Sequence, residues 1–197
     1  MHISEGILSA PVLGTGWAVA VAGIGFGLKK TPVEKLPETA LVSSVLFLVS
    51  LVHVPVGPSS IHLTVLGLAG ILLGWSALPG LFVALLLQGL LLQFGGILSL
   101  GANATIMGTA ALAAYGVWRL FPEKRRLAAA FTGGFVAVIT GSALVTVSLF
   151  LSGKELVSVA VLIFAANLPL AVVEGVLTMF CVGFLRRLLP QYVLKSA

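Results

Sequence analysis

Apolar residues fill this chain in long unbroken runs, and polar residues fall between the runs in short clusters. A membrane-spanning helix needs roughly 17–25 mainly apolar residues, and the runs divide into stretches near that length. Residues 11–28 form the first, ended by Lys29-Lys30. The polar, proline-broken loop KKTPVEKLPET follows, and then a short charge-free run over 40–54. Pro55-Val56-Gly57-Pro58-Ser59-Ser60 is a dense cluster of helix breakers. The chain is then continuously apolar from Ile61 to Gln93, which predicts two short spans, 61–77 and 79–94, turning at Leu78-Pro79-Gly80. A glycine-rich break, Gly95-Gly96 through Gly101-Ala102-Asn103, precedes a span over 102–119. Spans over 127–151 and 156–185, separated by Ser152-Gly153-Lys154-Glu155, complete the pattern. The expectation is an all-α integral membrane protein, a single domain over 1–197 with about seven transmembrane helices. Merging the two short central spans would give six.

Charge decides between the two counts. With seven crossings the connections alternate sides, and ten of the eleven Lys and Arg fall together. Lys29, Lys30 and Lys35 lie in the first loop, Arg119, Lys124, Arg125 and Arg126 in the fifth, and Arg186, Arg187 and Lys195 in the tail. Only Lys154 is opposite. The positive-inside rule assigns the ten to the cytoplasm, so the expected orientation has the N-terminus outside and the C-terminus in the cytoplasm. Six crossings would scatter the same charges over both faces.

Composition agrees with the membrane reading. The chain is 59% hydrophobic and 9% charged, with a mean hydropathy of +1.17, whereas a soluble domain carries roughly a quarter charged residues. The net charge of +5 therefore encodes orientation rather than a nucleic-acid partner. The opening MHISEGILSAP has no Lys or Arg, so it lacks the basic region of a cleaved signal peptide, and Met1 is expected to be the mature terminus. Pairs such as Gly23/Gly27 and Gly70/Gly74 permit close helix contacts, within the bundle or with a partner.

Few side chains can do chemistry. Cys181 is the only cysteine, which excludes an internal disulfide and a thiolate-rich metal cage. The chain has no G-x-x-x-x-G-K-[ST], no H-E-x-x-H, no G-x-S-x-G and no aspartate, so neither ATP hydrolysis nor a familiar protease chemistry is expected of it. Glu174 is the one acid inside a span. Such groups are expensive and usually functional. Its position, past the middle of the last span, suggests contact with a partner or with a neighbouring helix. Asn103 and Asn167 suit either the binding together of irregular backbone or contact with a metal.

The remaining candidates are histidines: His2, His53 and His62. All three fall at or near the outer face in the orientation above. A free α-amine followed by His2 offers three nitrogens in a row: the amine, the His2 main-chain nitrogen and a ring nitrogen. They close a five- and a six-membered chelate ring around one ion. Tetragonal nitrogen sites suit Ni²⁺ and Cu²⁺, and sometimes Co²⁺. Irregular backbone at membrane depth is tolerated only inside protein or beside a cavity, so the PVGPSS segment could dip inward and present His62 to His2. His62 reads equally as a ligand or as a structural residue. His53, at a helix end, reads first as structural or supporting.

Four ordered segments then resemble one family. Met1-His2-Ile3-Ser4-Glu5-Gly6-Ile7-Leu8 resembles the M-H-I-x-E-G-[FYI]-L opening of the CbiM/NikM proteins. These are substrate-binding S components of energy-coupling-factor transporters for cobalt and nickel. Pro55 to Leu63 is similar to the family's P-x-x-G-x-S-x-H-L, Phe94 to Asn103 to its G-G-x-x-x-L-G-A-N, and Asn167 to Gly175 to its [HN]-L-P-x-A-x-x-E-G. The resemblance implies a non-enzymatic transport subunit with its N-terminal segment inserted into the bundle at the outer face. It implies a planar all-nitrogen site built by Met1, His2 and His62. It also implies Ni²⁺ or Co²⁺ as transported substrate, with no organic cofactor. The implied partners are a transmembrane coupling subunit and two cytoplasmic ATPases. A small accessory membrane subunit would replace the C-terminal helices that some relatives carry. Asn167 stands where relatives often have histidine. The rival readings are a self-sufficient secondary cation permease and a metal-independent scaffold subunit.

Overall fold

A computed structural model describes residues 2–51, 53–56 and 59–189, with only the backbone described within 53–56 and 59–62. The described residues form α1 (Ala10–Lys30), α2 (Leu36–Val49), β1 (His53–Val56), β2 (Ser59–His62), α3 (Leu66–Leu73), α4 (Ala77–Leu92), α5 (Leu100–Leu120), α6 (Arg126–Ser152) and α7 (Val157–Leu188). The result is a helical membrane bundle with one two-stranded ribbon. Among the described residues, Ala10–Lys30, Leu100–Leu120, Glu123–Ser152 and Lys154–Leu188 are long and apolar enough to cross a membrane, and so by length and composition is Leu66–Leu92, which is broken at Gly74–Ser76.

Local chemistry sets the ends of these helices. Proline stands in the first turn of α1 and of α2, where its missing N–H costs nothing. Lys29-Lys30 and Arg186-Arg187 occupy the last turns of α1 and α7, where cations favour the negative end of the helix dipole. At this basic end Arg126 lies over the fully buried Trp118 ring at 4.4 Å and donates to the Trp118 carbonyl at 2.6 Å.

The central stretch departs from expectation in two ways. The predicted span 61–77 is instead the end of β2, a short linker and the eight-residue α3; eight residues rise only about 12 Å, too little to cross a bilayer. The turn expected at Leu78-Pro79-Gly80 lies earlier, at Gly74–Ser76, where Gly74 adopts φ +57. Only glycine takes such a φ at no steric cost. Pro79, read from sequence as a breaker, sits in the first turn of α4, where proline is tolerated.

Contacts show that the chain reverses at Gly74–Ser76. Gly70 packs on Ala111 and Gly74 on Tyr115, so α3 descends beside α5. Trp75 meets Phe26 near the end of α1 at 4.8 Å, while Phe82 meets Trp17 nearer its start at 6.3 Å. Helix α4 therefore climbs back along α1. Helix α3 is a half-helix whose N-terminus opens inside the bundle.

The breaker cluster forms a ribbon rather than a plain loop. Strands β1 and β2 pair antiparallel in the register His53↔His62, Val54↔Ile61, Pro55↔Ser60 and Val56↔Ser59. His53 thus begins a strand instead of ending a helix. Glycines let α3, α6 and α7 meet at backbone distance: a Cβ on Gly67 would lie 2.4 Å from the Gly134 Cα, and one on Gly134 would lie 3.0 Å from the Gly175 Cα.

Candidate metal centre

The N-terminal segment buries His2, Ile3 and Leu8 in the bundle and is fastened there by side chains of the sequence breaks. His2 is 5% exposed and Ile3 1%. The Ile3 N–H donates to Asn103 Oδ1 at 2.9 Å, and Asn103 Nδ2 donates back to the Ile3 carbonyl at 3.0 Å. One buried amide at the head of α5 therefore satisfies both backbone polar groups of Ile3, the residue that follows His2. A primary amide suits this task because it offers a donor and an acceptor side by side. The Ile3 side chain lies in a cluster with Ala102 and Ile106 of α5, Val145 and Leu149 of α6, and Ile163 of α7. The Ser9 N–H donates to Ser152 Oγ at 3.1 Å, which closes the other end of the segment.

The glycine-rich break is shaped to receive this segment. Gly95 and Gly96 have φ +78 and +90, and a Cβ on Gly96 would stand 2.1 Å from Cγ of Glu5. The Glu5 carboxylate accepts the Leu98 N–H at 2.7 Å, and the Leu98 carbonyl accepts from Trp17 Nε1 at 3.0 Å. The Ser99 hydroxyl donates to the Gly95 carbonyl. Replacement of Asn103 by Leu should leave the Ile3 N–H and carbonyl buried without these partners, at a cost of about 1–3 kcal/mol for each group. The expected outcome is a clear drop in melting temperature in detergent, with faster hydrogen exchange at the Ile3 amide.

Glu174 of α7 meets the chain just before α3. It is fully buried, and its carboxylate accepts from the Thr64 N–H, from Thr64 Oγ1 at 3.0 Å, and from the Val65 N–H at 3.0 Å and 3.1 Å to its two oxygens. Val65 holds a left-handed φ of 53. The start of a helix carries partial positive charge, and a carboxylate from another helix takes up the N–H of the cap residue Val65 and of Thr64 before it. Thr64 stands two residues after His62 in the chain.

Of the three ligand candidates, Met1 lies outside the described residues. His2 is held in the bundle core. His62 ends β2, directly opposite His53 across the ladder, and its side chain lies outside what is described. Ile163, in the cluster that holds Ile3, and Glu174, which holds the start of α3, both lie on the buried face of α7. They are about 16 Å apart along that helix. Between them sits Asn167, 2% exposed, whose Nδ2 donates to the Ile163 carbonyl at 2.8 Å and whose Oδ1 has no hydrogen-bond partner among the described residues.

Sequence reasoning left open what Asn103 and Glu174 do. Each turns out to fasten irregular backbone next to a candidate ligand. The signal for Asn103 was its place at the end of the glycine-rich break, and for Glu174 its isolation as the one acid within the spans.

Comparison with known proteins agrees along the whole chain. The family described as cobalt uptake substrate-specific transmembrane region, CbiM, matches residues 2–192. A Haemophilus influenzae protein, provisionally named as a metal transport protein, is 36% identical over 202 residues, covering 100% of this chain and 98% of its own. A Sorangium cellulosum protein named cobalt transport protein CbiM is 31% identical, covering 97% of this chain and 93% of its own. A crystal structure described as a truncated transition metal transporter superposes with a TM-score of 0.86 at 28% identity, over 95% of this chain and 99% of that one.

Proposed function

Because the chain belongs to the CbiM family of cobalt uptake transmembrane proteins, we propose that it captures Ni²⁺ or Co²⁺ as the substrate-binding subunit of an ATP-driven transporter. In this reading the ion sits in one plane among the α-amine of Met1, the main-chain and ring nitrogens of His2, and a ring nitrogen of His62. The observation that carries it is the burial of residues 2–3 and the clamping of Ile3 by a buried asparagine, which together hold the donors of His2 inside the bundle. Fixing a ligand through its neighbours is how proteins hold a metal geometry.

Energy must come from elsewhere, since the sequence lacks a phosphate-binding loop. The proposed assembly includes a transmembrane coupling subunit and two cytoplasmic ATPases, with a small accessory membrane subunit. The chain would lie in the prokaryotic plasma membrane with its basic end, where Lys29, Lys30, Arg119, Arg126 and Arg186 gather, in the cytoplasm. A planar four-nitrogen field favours low-spin Ni²⁺, so nickel is the preferred cargo. Metal analysis of purified protein with an intact terminus tests this reading. One equivalent of nickel in a yellow, diamagnetic complex supports it, and a metal-free protein that takes up none would overturn it.

His62 and His53 separate by degree. His62→Ala should remove the fourth corner and weaken nickel binding by more than about 100-fold, the upper end of what losing a mere support to a ligand costs. His53→Ala, which removes no member of the proposed set, should weaken it less. Isothermal titration of the two variants compares them directly, and equal losses would put His53 among the ligands.

A further inference from the structure

We propose that Glu174 is the positioning residue of the metal site, fixing His62 through the backbone it grips at Thr64 and Val65. This rests on the reading of His62 as a ligand. Three observations carry it. The carboxylate is fully buried and spends both oxygens on the two residues that lead into α3. What it holds is the junction between β2 and α3, where Val65 adopts a left-handed conformation. That conformation is uncommon for a β-branched residue and needs its surroundings to enforce it. Finally, the held residues follow His62 by two and three positions, so little chain is left to absorb a displacement.

The geometry separates positioning from a charge role. Oε1 alone accepts from the Thr64 N–H, Thr64 Oγ1 and the Val65 N–H. Glutamine at 174 keeps one oxygen for these donors but loses the charge, whereas alanine loses everything. Close packing around the site speaks the same way. A Cβ on the neighbouring Gly67 would lie 2.4 Å from the Gly134 Cα, so α3 has little room to shift.

The test uses full-length protein with a free N-terminus in detergent, comparing wild type, Glu174→Ala, Glu174→Gln and Thr64→Val. In metal-free protein, hydrogen exchange at the Thr64 and Val65 amides should quicken at least about tenfold in Glu174→Ala, because a buried N–H that loses its acceptor no longer holds its segment closed. Nickel affinity should fall by about 10–100-fold. Glu174→Gln should recover most of both losses, and the absorption band of the nickel-saturated variants should stay where it is in wild type, since the donor atoms are unchanged. Equal damage from Gln and Ala would mean that the charge itself is needed, and would overturn the positioning role. So would a shifted band, or an affinity loss without faster exchange. Should the alanine variant fail to fold, Thr64→Val still decides: it removes one of the grips, and wild-type exchange with wild-type affinity in it would refute the link. If wild type itself binds no nickel, the proposed function fails, while the exchange measurement still judges the hold of Glu174 on α3.

Discussion

A single residue added before Met1 should abolish high-affinity nickel binding, and His2→Ala should do the same. The extension turns the terminal amine into an amide, so one corner of the proposed chelate disappears while every side chain remains. His2→Ala removes the ring nitrogen and breaks the six-membered chelate ring. Losing a hydrogen bond that merely supports a ligand already costs about 10–100-fold at metal sites, so either change should exceed that. Neither should unfold the protein, because the clamp from Asn103 grips Ile3 rather than residues 1 or 2. Isothermal titration, with circular dichroism as the folding control, reads both effects. Tight nickel retention by the extended protein would sink the chelate. Binding should also weaken as pH falls, since protons compete for every nitrogen donor.

The second large effect is structural. A Cβ on Gly70 would lie 2.0 Å from the Ala111 carbonyl oxygen and 2.8 Å from its carbon. Backbone on both sides cannot yield as a side chain can. Gly70→Ala should therefore push α3 away from α5, at a cost of about 1–3 kcal/mol or more. The damage should reach the proposed metal site as well, because α3 begins at the junction that follows His62. Gly14→Ala and Gly25→Ala are the controls. Nothing lies within 4 Å of a Cβ at either position, and alanine is the better helix former by about 1 kcal/mol. Thermal unfolding in detergent should show Gly70→Ala melting well below wild type and the two controls at or slightly above it.

These two predictions differ in how far the sequence alone reaches them. The proposed chelate is legible in two residues, because its three donors are consecutive and covalent geometry sets their spacing. The importance of Gly70 is not. The sequence marks it only as half of a small-residue pair, and its partner, Ala111, is 41 positions away along the chain. The reversal at Gly74–Ser76 was hidden for a related reason. Leu78-Pro79-Gly80 carries the stronger local turn signature, but a proline in a first helical turn and a proline in a loop look the same from neighbouring residues alone.

Hydrophobic patterning by itself determined that this is a helical membrane protein, because a bilayer accepts backbone only in forms that satisfy their own hydrogen bonds, and long apolar runs leave it no other choice. The order of the chain also determined the chelating potential of Met1-His2, the positions of the two irregular breaks, and the resemblance that identifies the family. Tertiary structure decided what those breaks are for. It placed Asn103 against Ile3 across 100 positions and Glu174 against Thr64 across 110. It also turned a predicted crossing into a half-helix held from the opposite end of the chain. Periodicity and motifs report a residue's local environment, whereas a buried hydrogen bond between distant segments depends on how whole helices pack, and only the folded bundle settles that.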